Sequence, residues 1–370
     1  MNITTIKNLI TLFALLLTAP GMQQKTVGDE GLDVTISVVV AGKEYVGRPL
    51  VWDAEQYVLL QRDGEIKTLN TASTSEFAKT SDDFQPLSDQ QLALDLWDEF
   101  PGYEVTRTGK YVVVHPSGKA DKWAWPFETL YDQFTQYFQV RNFSYRDSQF
   151  PLVVVVLESR NEFVQFSYQQ GVRQAAQLAG YYSPTTNRVI TYDHVGNGFD
   201  PSGSDRWDEN MLTLVHEALH QFSFNTGIQN RWGQSPKWAS EGLACIFEAR
   251  GVFNSHKFTR KSDRIHLLYL QQLNGMIREG KTKGFVKQLV ENDRTFQQNP
   301  TMAYSASWAL MFYLSEHDPA GLSRYLNTIS ERPGFQKYSA TDRINDFAQE
   351  FGTDFNGLEA RVVRFLEKIE

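Results

Sequence analysis

The hydrophobic pattern changes period along the chain. Residues 34–40 alternate and then become wholly apolar, and Ala41-Gly42-Lys43 reads as a turn. Residues 50–52, 57–60 and 66–69 are further β-rich runs. Asp63-Gly64 lies between the last two and is a strong hairpin signal. This spacing predicts a small antiparallel β module over residues 31–70, similar in layout to SH3-like or Sm-like barrels. That likeness carries no function by itself. Residues 71–90 are polar and rich in Ser, Thr and Asp, so a linker is expected over residues 71–103.

From about residue 104 the texture differs. Residues 111–115 read as a strand, and 121–138 read as an aromatic-rich helix despite Pro126 near its start. The continuous apolar run 152–157 is what a strand buried on both faces requires. Residues 160–169 suggest a short helix. Residues 178–182 and 188–192 flank Ser183-Pro184-Thr185-Thr186-Asn187, a hairpin signature. After residue 207 the pattern is helical apart from short connections. Strands followed by helices predict an α+β domain over residues 104–370.

The first residues have a different character. Lys7 is the only charge before residues 9–17, which are apolar except for Thr11, and Ala19-Pro20-Gly21 supplies small residues beyond them. This positive, apolar, small layout predicts a secretory signal over residues 1–21, too short to span a bilayer comfortably. The expected location is therefore extracytoplasmic: secreted, periplasmic or at the cell surface, with no stable membrane insertion after cleavage.

Composition narrows the function classes. The chain has 370 residues and a net charge of −8, which disfavours a nucleic-acid partner because phosphate binding draws on surplus cations. Aromatic residues make up 13% of the chain, enough for a sizeable core, so a disordered or collagen-like chain is excluded. The single cysteine, Cys245, rules out an internal disulfide and a Cys-rich zinc module. It sits in an apolar run and reads as a small buried side chain.

Candidate chemistry concentrates in Val215-His216-Glu217-Ala218-Leu219-His220-Gln221-Phe222. On a helix, His216 and His220 project from one face about one turn apart, as two imidazoles on one zinc require. Glu217 lies about 100° round the helix, where it can accept a proton from metal-activated water. Leu212, Val215, Leu219 and Phe222 form an apolar stripe that would bury the helix. With 7 His in the chain, a chance match to this spacing is expected roughly 0.01 times. Gly227 is a plausible helix stop, and Ser235-Pro236 looks like the start of a second helix ended by Gly251. Glu241 falls in the middle of that otherwise apolar helix, where an unpaired carboxylate is costly and a metal would remove the cost. Glu248, seven residues on, shares the face but lies near the helix end. It is expected to be solvated, so Glu241 is the preferred third ligand.

At these residues the chain resembles the gluzincin metallopeptidases, in which His-Glu-x-x-His is followed about twenty residues later by a ligand Glu on a second helix. Trp238-x-x-Glu241-Gly242-x-Ala244 is similar to a phrase of the peptidase MA-like branch. The runs 216–227 and 238–248, with Gly180 to Pro184 and Asn187 to Ile190, resemble uncharacterised bacterial secreted proteins of that clan. The resemblance spans about residues 105–370 and implies a zincin-like metallopeptidase domain. It implies zinc held by His216, His220 and Glu241, Glu217 as general base, and peptide or protein substrates. Some gluzincins carry an Asp four residues after the ligand Glu that orients a zinc histidine; here that position is Cys245. A Tyr on a later helix stabilises the oxyanion in related enzymes, which makes Tyr304 a second catalytic candidate, although the spacing Tyr304, Trp308, Phe312 also fits a core stripe. The competing expectation is a catalytically inactive or weakly active zincin-fold binding or scaffold protein at the cell surface, for which Cys245 and the appended β module speak. The hairpin 178–192 is expected to place a strand edge beside the cleft. His115, His256, His266 and His317 read as structural or solvated, and the loop carrying His194 leads towards the proposed zinc helix.

Overall fold

The computed structural model describes residues 34–52, 55–193 and 209–369. The expected signal segment and His194 lie outside the described residues. The fold is α+β, with an N-terminal antiparallel sheet, a second mixed sheet, and helices that follow.

The first sheet contains β1 (Thr35–Val40), β2 (Lys43–Trp52), β3 (Gln56–Gln61), β4 (Ile66–Asn70) and β5 (Thr74–Ser81), in the order β4-β3-β2-β1-β5. Val40 pairs with Lys43 across a two-residue turn. Ala41 and Gly42 both have positive φ there, the backbone that matches the twist of a tight hairpin. One face of the sheet buries Ile36, Val38, Trp52, Tyr57, Leu59 and Leu69 as a core of its own. Leu50, Val51, Val58 and Leu60 instead pack with Phe84, Phe150, Trp232 and Phe335, which fastens the module to the rest of the chain.

The linker expected over residues 71–103 is replaced by regular structure. β5 occupies part of it, and so does α1 (Asp89–Glu99), which opens with a capping box between Ser88 and Gln91. The reason is exposure. β5 is an edge strand with mostly exposed side chains, and α1 fully buries only Leu92 and Leu96, so neither leaves a strong hydrophobic period.

The second sheet contains β6 (Glu104–Arg107), β7 (Tyr111–His115), β8 (Leu152–Leu157), β9 (Gly180–Ser183) and β10 (Arg188–Tyr192), in the order β6-β7-β8-β10-β9. β8 runs parallel to both β7 and β10, and β6 and β9 are antiparallel edges. Central β8 is buried on both faces: Val154 and Val156 face the main helical core, while Val153 and Val155 face the side covered by α1 and α3 (Arg160–Gln169). That is why its sequence is an unbroken apolar run. The helix α2 (Ala120–Gln139) makes the crossover between β7 and β8 that parallel strands require.

After the second sheet come α4 (Glu209–Asn225), α5 (Lys237–Phe247), α6 (Leu267–Arg278), α7 (Phe285–Glu291), α8 (Pro300–His317), α9 (Pro319–Ser330), α10 (Ala340–Phe351) and α11 (Phe355–Ile369). Trp238, Trp308, Phe222 and Phe247 are fully buried among them. The crossing of α5 on α8 depends on Gly242, because a Cβ there would lie 2.6 Å from the Ser307 carbonyl oxygen. Gly242→Ala is expected to cost about 1–3 kcal/mol through this forced separation. Urea unfolding would show a lower midpoint at unchanged slope, and an unaltered midpoint would refute the close-packing account. Among the described residues, no helix is long and apolar enough to cross a membrane.

Candidate metal centre

Three elements build the site. α4 buries Val215, Leu219 and Phe222 of its expected stripe, and Gly227, at φ +80°, turns the chain just after the helix. α5 begins at Lys237, one residue later than expected, with the Lys237 N–H donating to Asp293 Oδ1 in place of a Ser235 cap. It also ends earlier, at Phe247. Gly251 belongs to the next short turn, Arg250–Phe253.

His216 and His220 on α4 meet Glu241 on α5. The two Nε2 atoms lie 3.1 Å apart, and Glu241 Oε2 is 3.3 Å from that of His216 and 3.7 Å from that of His220. The far edges of the rings set their tautomers. His216 Nδ1 donates to Glu248 Oε1 at 2.8 Å. His220 Nδ1 lies 3.5 Å from Ser240 Oγ, which itself donates to Gln229 Oε1 and so is left to accept. Protons on both Nδ1 atoms leave two Nε2 lone pairs and a carboxylate converging on one point. Three facing acceptors repel unless a cation lies between them, so these residues could hold a metal ion. A proton can serve in the same way. Burial opposes a charged His216, but its bonds with Cys245, Glu241 and Glu248 outweigh burial and hold its pKa well above the ordinary value. Burial likewise opposes a charged Glu241, and the two imidazoles overcome it, holding the carboxyl below its usual range.

Glu248 corrects an expectation. It is not solvated; its side chain is only 9% exposed and lies between His216 and His266, with Oε2 2.8 Å from His266 Nε2. Because α5 stops at Phe247, Glu248 caps the helix and turns inward. The orienting carboxylate that Cys245 cannot supply is therefore present three residues later. Cys245 is fully buried and its thiol is pushed up to about 12, mainly by burial, so it stays protonated. A second grouping of His216, Cys245 and Glu248 also exists, but it uses the Nδ1 edge already engaged by Glu248. His266 is buried, accepts from the Tyr269 N–H through Nδ1 and stacks on the Tyr269 ring, as a structural histidine would. Nothing in residues 249–266 announced that partner. The one available signal for Glu248 was its shared face with Glu241.

Glu217 stands beside this cluster. The Tyr182 N–H of edge strand β9 donates to Glu217 Oε2 at 2.8 Å. Burial raises the Glu217 pKa against the lowering effect of His216, His220 and that N–H. β9 is held in place by a buried amide pair: Asn187 and Asn225 exchange hydrogen bonds, and Tyr182 donates its hydroxyl to Asn187 Oδ1. Gln221 ties α4 to the carbonyls of Val153 and Asn187. Thus the hairpin stays beside Glu217, and β9 pairs with β10 alone among the described residues.

Tyr304 is in the first turns of α8, after the Asn299 cap and Pro300. It is half-buried, with its ring edge-on to Phe296, while Trp308 and Phe312 continue into the core. Burial first, then Glu241, pushes its phenol up, against the opposing charge of His216. Elsewhere His115 is buried between Thr106 and the Pro116 carbonyl, His256 bonds Gln136 at the surface, and His317 reaches the Tyr313 carbonyl.

Residues 210–336 match a family model described as a protein of unknown function, DUF1570. The matched stretch carries His216, Glu217, His220, Glu241, Glu248 and Tyr304, whereas both sheets precede it. A comparison with curated proteins finds no match.

Proposed function

We propose that this chain is a gluzincin-like zinc metallohydrolase acting on peptides or proteins outside the cytoplasm. The observation that carries the reading is the convergence of two Nε2 lone pairs and the Glu241 carboxylate beside a half-buried Glu217 whose pKa is raised. Two imidazoles and one carboxylate suit zinc and leave a position for water. Zinc held by His216, His220 and Glu241 would supply the Lewis acid that acidifies water and polarises the scissile carbonyl.

The chain's own groups do the rest. Glu217, anchored through Oε2 by the Tyr182 N–H, takes the proton of the attacking water and returns it to the leaving amine. Its raised pKa suits both transfers. The free edge of β9 lets an extended peptide add as a strand, with main-chain bonds giving affinity without strong sequence demands. Glu248 holds the His216 ring in its ligating orientation. The binding-protein alternative draws on Cys245 and on the appended β module; Glu248 bears only on the first, because it supplies the carboxylate beside His216 that Cys245 lacks.

Tyr304 is assigned to the developing oxyanion. Tyr304→Phe is expected to lower kcat about 10²–10³-fold with little change in KM, because the hydroxyl acts on the transition state. Normal turnover would return Tyr304 to the core stripe. The reading as a whole is tested by metal analysis of the purified protein together with cleavage of a mixed peptide library before and after chelation. About one zinc per chain and chelator-sensitive cleavage are expected. A zinc-loaded protein that cleaves nothing would favour the binding protein.

A further inference from the structure

The hold of Glu248 on His216 depends in turn on what holds Glu248. That residue is the C-cap of α5, and its carboxylate is met on both oxygens. Oε1 accepts from His216 Nδ1 at 2.8 Å, and Oε2 lies 2.8 Å from His266 Nε2. His266 reaches it from the start of α6, where it is the N-cap and its Nδ1 accepts the Tyr269 N–H at 3.3 Å. The Glu248 and His266 side chains are each 9% exposed, so little water competes for either.

The cap bond decides the tautomer of His266. A ring nitrogen that accepts carries no proton, so the neutral imidazole keeps its hydrogen on Nε2, directed at Glu248. The ring is also held in place: Tyr269 stacks on it, with centroids 4.0 Å apart and planes 25° apart. The Tyr269 hydroxyl, 3.5 Å from Glu248 Oε1, faces the oxygen that His216 already uses. The approach to the cap is braced too. Arg264 pairs with Glu316 at 2.9 Å, and Gly251 packs so closely on the 261–264 turn that a Cβ would lie 2.8 Å from the Asp263 carbonyl carbon. Capping alone does not call for histidine, since Ser, Thr, Asp and Asn are the usual N-caps. What the imidazole adds is a second polar edge, on the far side of the ring from the cap.

We propose that His266 is a positioning residue of the metal centre. Through Glu248 it keeps the His216 ring turned with Nδ1–H toward the carboxylate and the Nε2 lone pair toward the metal, and so sets zinc affinity from two side chains away. The inference rests on the zinc site proposed above, and it does not require hydrolysis. A carboxylate with donors on one oxygen alone can swing about its terminal bond, and the imidazole it steadies swings with it. Losing such an outer partner typically weakens metal binding about 10–100-fold. His266 thereby ties the ligand pair on α4 to α6, an element with no ligand in the proposed set.

Two substitutions separate positioning from capping. His266→Asn keeps a capping oxygen near Nδ1 and removes the Nε2 donor, whereas His266→Gln keeps an N–H donor near Nε2 and removes the cap. The full chain and each variant would be titrated with zinc against a competing chelator, melted in metal-free form, and loaded with cobalt for visible absorption. His266→Asn is expected to bind zinc about 10–100-fold more weakly and to alter the cobalt spectrum, with its metal-free melting midpoint close to the parent's. His266→Gln should recover most of the parent's zinc affinity and melt at a lower temperature. Glu248→Gln should weaken zinc about as much as His266→Asn, and the double variant should lose less than the two losses added, because both break one chain of bonds. Unchanged zinc affinity in His266→Asn, an equal loss in His266→Gln, or additive losses in the double variant would overturn the role of His266. Zinc affinities in the expected order without peptide cleavage would strike the hydrolase reading and leave this inference standing. A parent that takes up neither zinc nor cobalt would strike both.

Discussion

Glu217→Gln is expected to retain a full complement of zinc and to cleave peptides about 10²–10⁴-fold more slowly than the parent. The amide matches the carboxylate in size and can still accept the Tyr182 N–H through its oxygen, so β9 and α4 keep their relation. What it cannot do is take a proton from water. Glu217 does not converge with the three lone-pair donors, so metal content should not change. Activity should fall in kcat with KM nearly constant, since the lost interaction belongs to the transition state. Equal turnover of an active parent and this variant would discard the general-base role. Loss of zinc in the variant would mean that Glu217 is a ligand.

The second large effect is expected from His220→Ala, which should abolish zinc binding at stoichiometric metal and all hydrolysis with it. Among the described residues, His220 contributes one of the two imidazoles that converge with Glu241. Deletion leaves His216 and Glu241, two donors where a catalytic zinc uses three. His220 is only 9% exposed, so the variant also opens a small void beside Phe224. Circular dichroism and thermal unfolding would show whether the fold persists. A folded variant with unchanged zinc stoichiometry would show that the ligand set is wrong.

Much of the site was legible because its logic is local. The four-residue step from His216 to His220 places both imidazoles on one face of any helix, whatever surrounds it. Glu241 was legible by a different route, as a carboxylate too costly to leave unpaired within an apolar helix. Glu248 was not legible. Its inward turn depends on α5 ending at Phe247 and on His266 arriving from a later segment, and neither leaves a mark on the residues around 248. The linker reading failed for the opposite reason. β5 and α1 are regular but mostly exposed, so their hydrophobic pattern is weak while their backbone bonds and caps are complete.

By itself, then, the sequence determined what short-range periodicity controls: the α+β division, the buried run of β8, the hairpin before α4, and the spacing of His216, Glu217 and His220. Tertiary structure alone decided which distant groups meet. It placed β9 at the sheet edge, so that the Tyr182 N–H reaches Glu217. It brought Glu248 to His216. The physical reason is range. Helix and strand periods repeat every two to four residues and are written into neighbouring side chains. The partner of a buried charge is set by how whole elements pack, and that is settled only when the core closes.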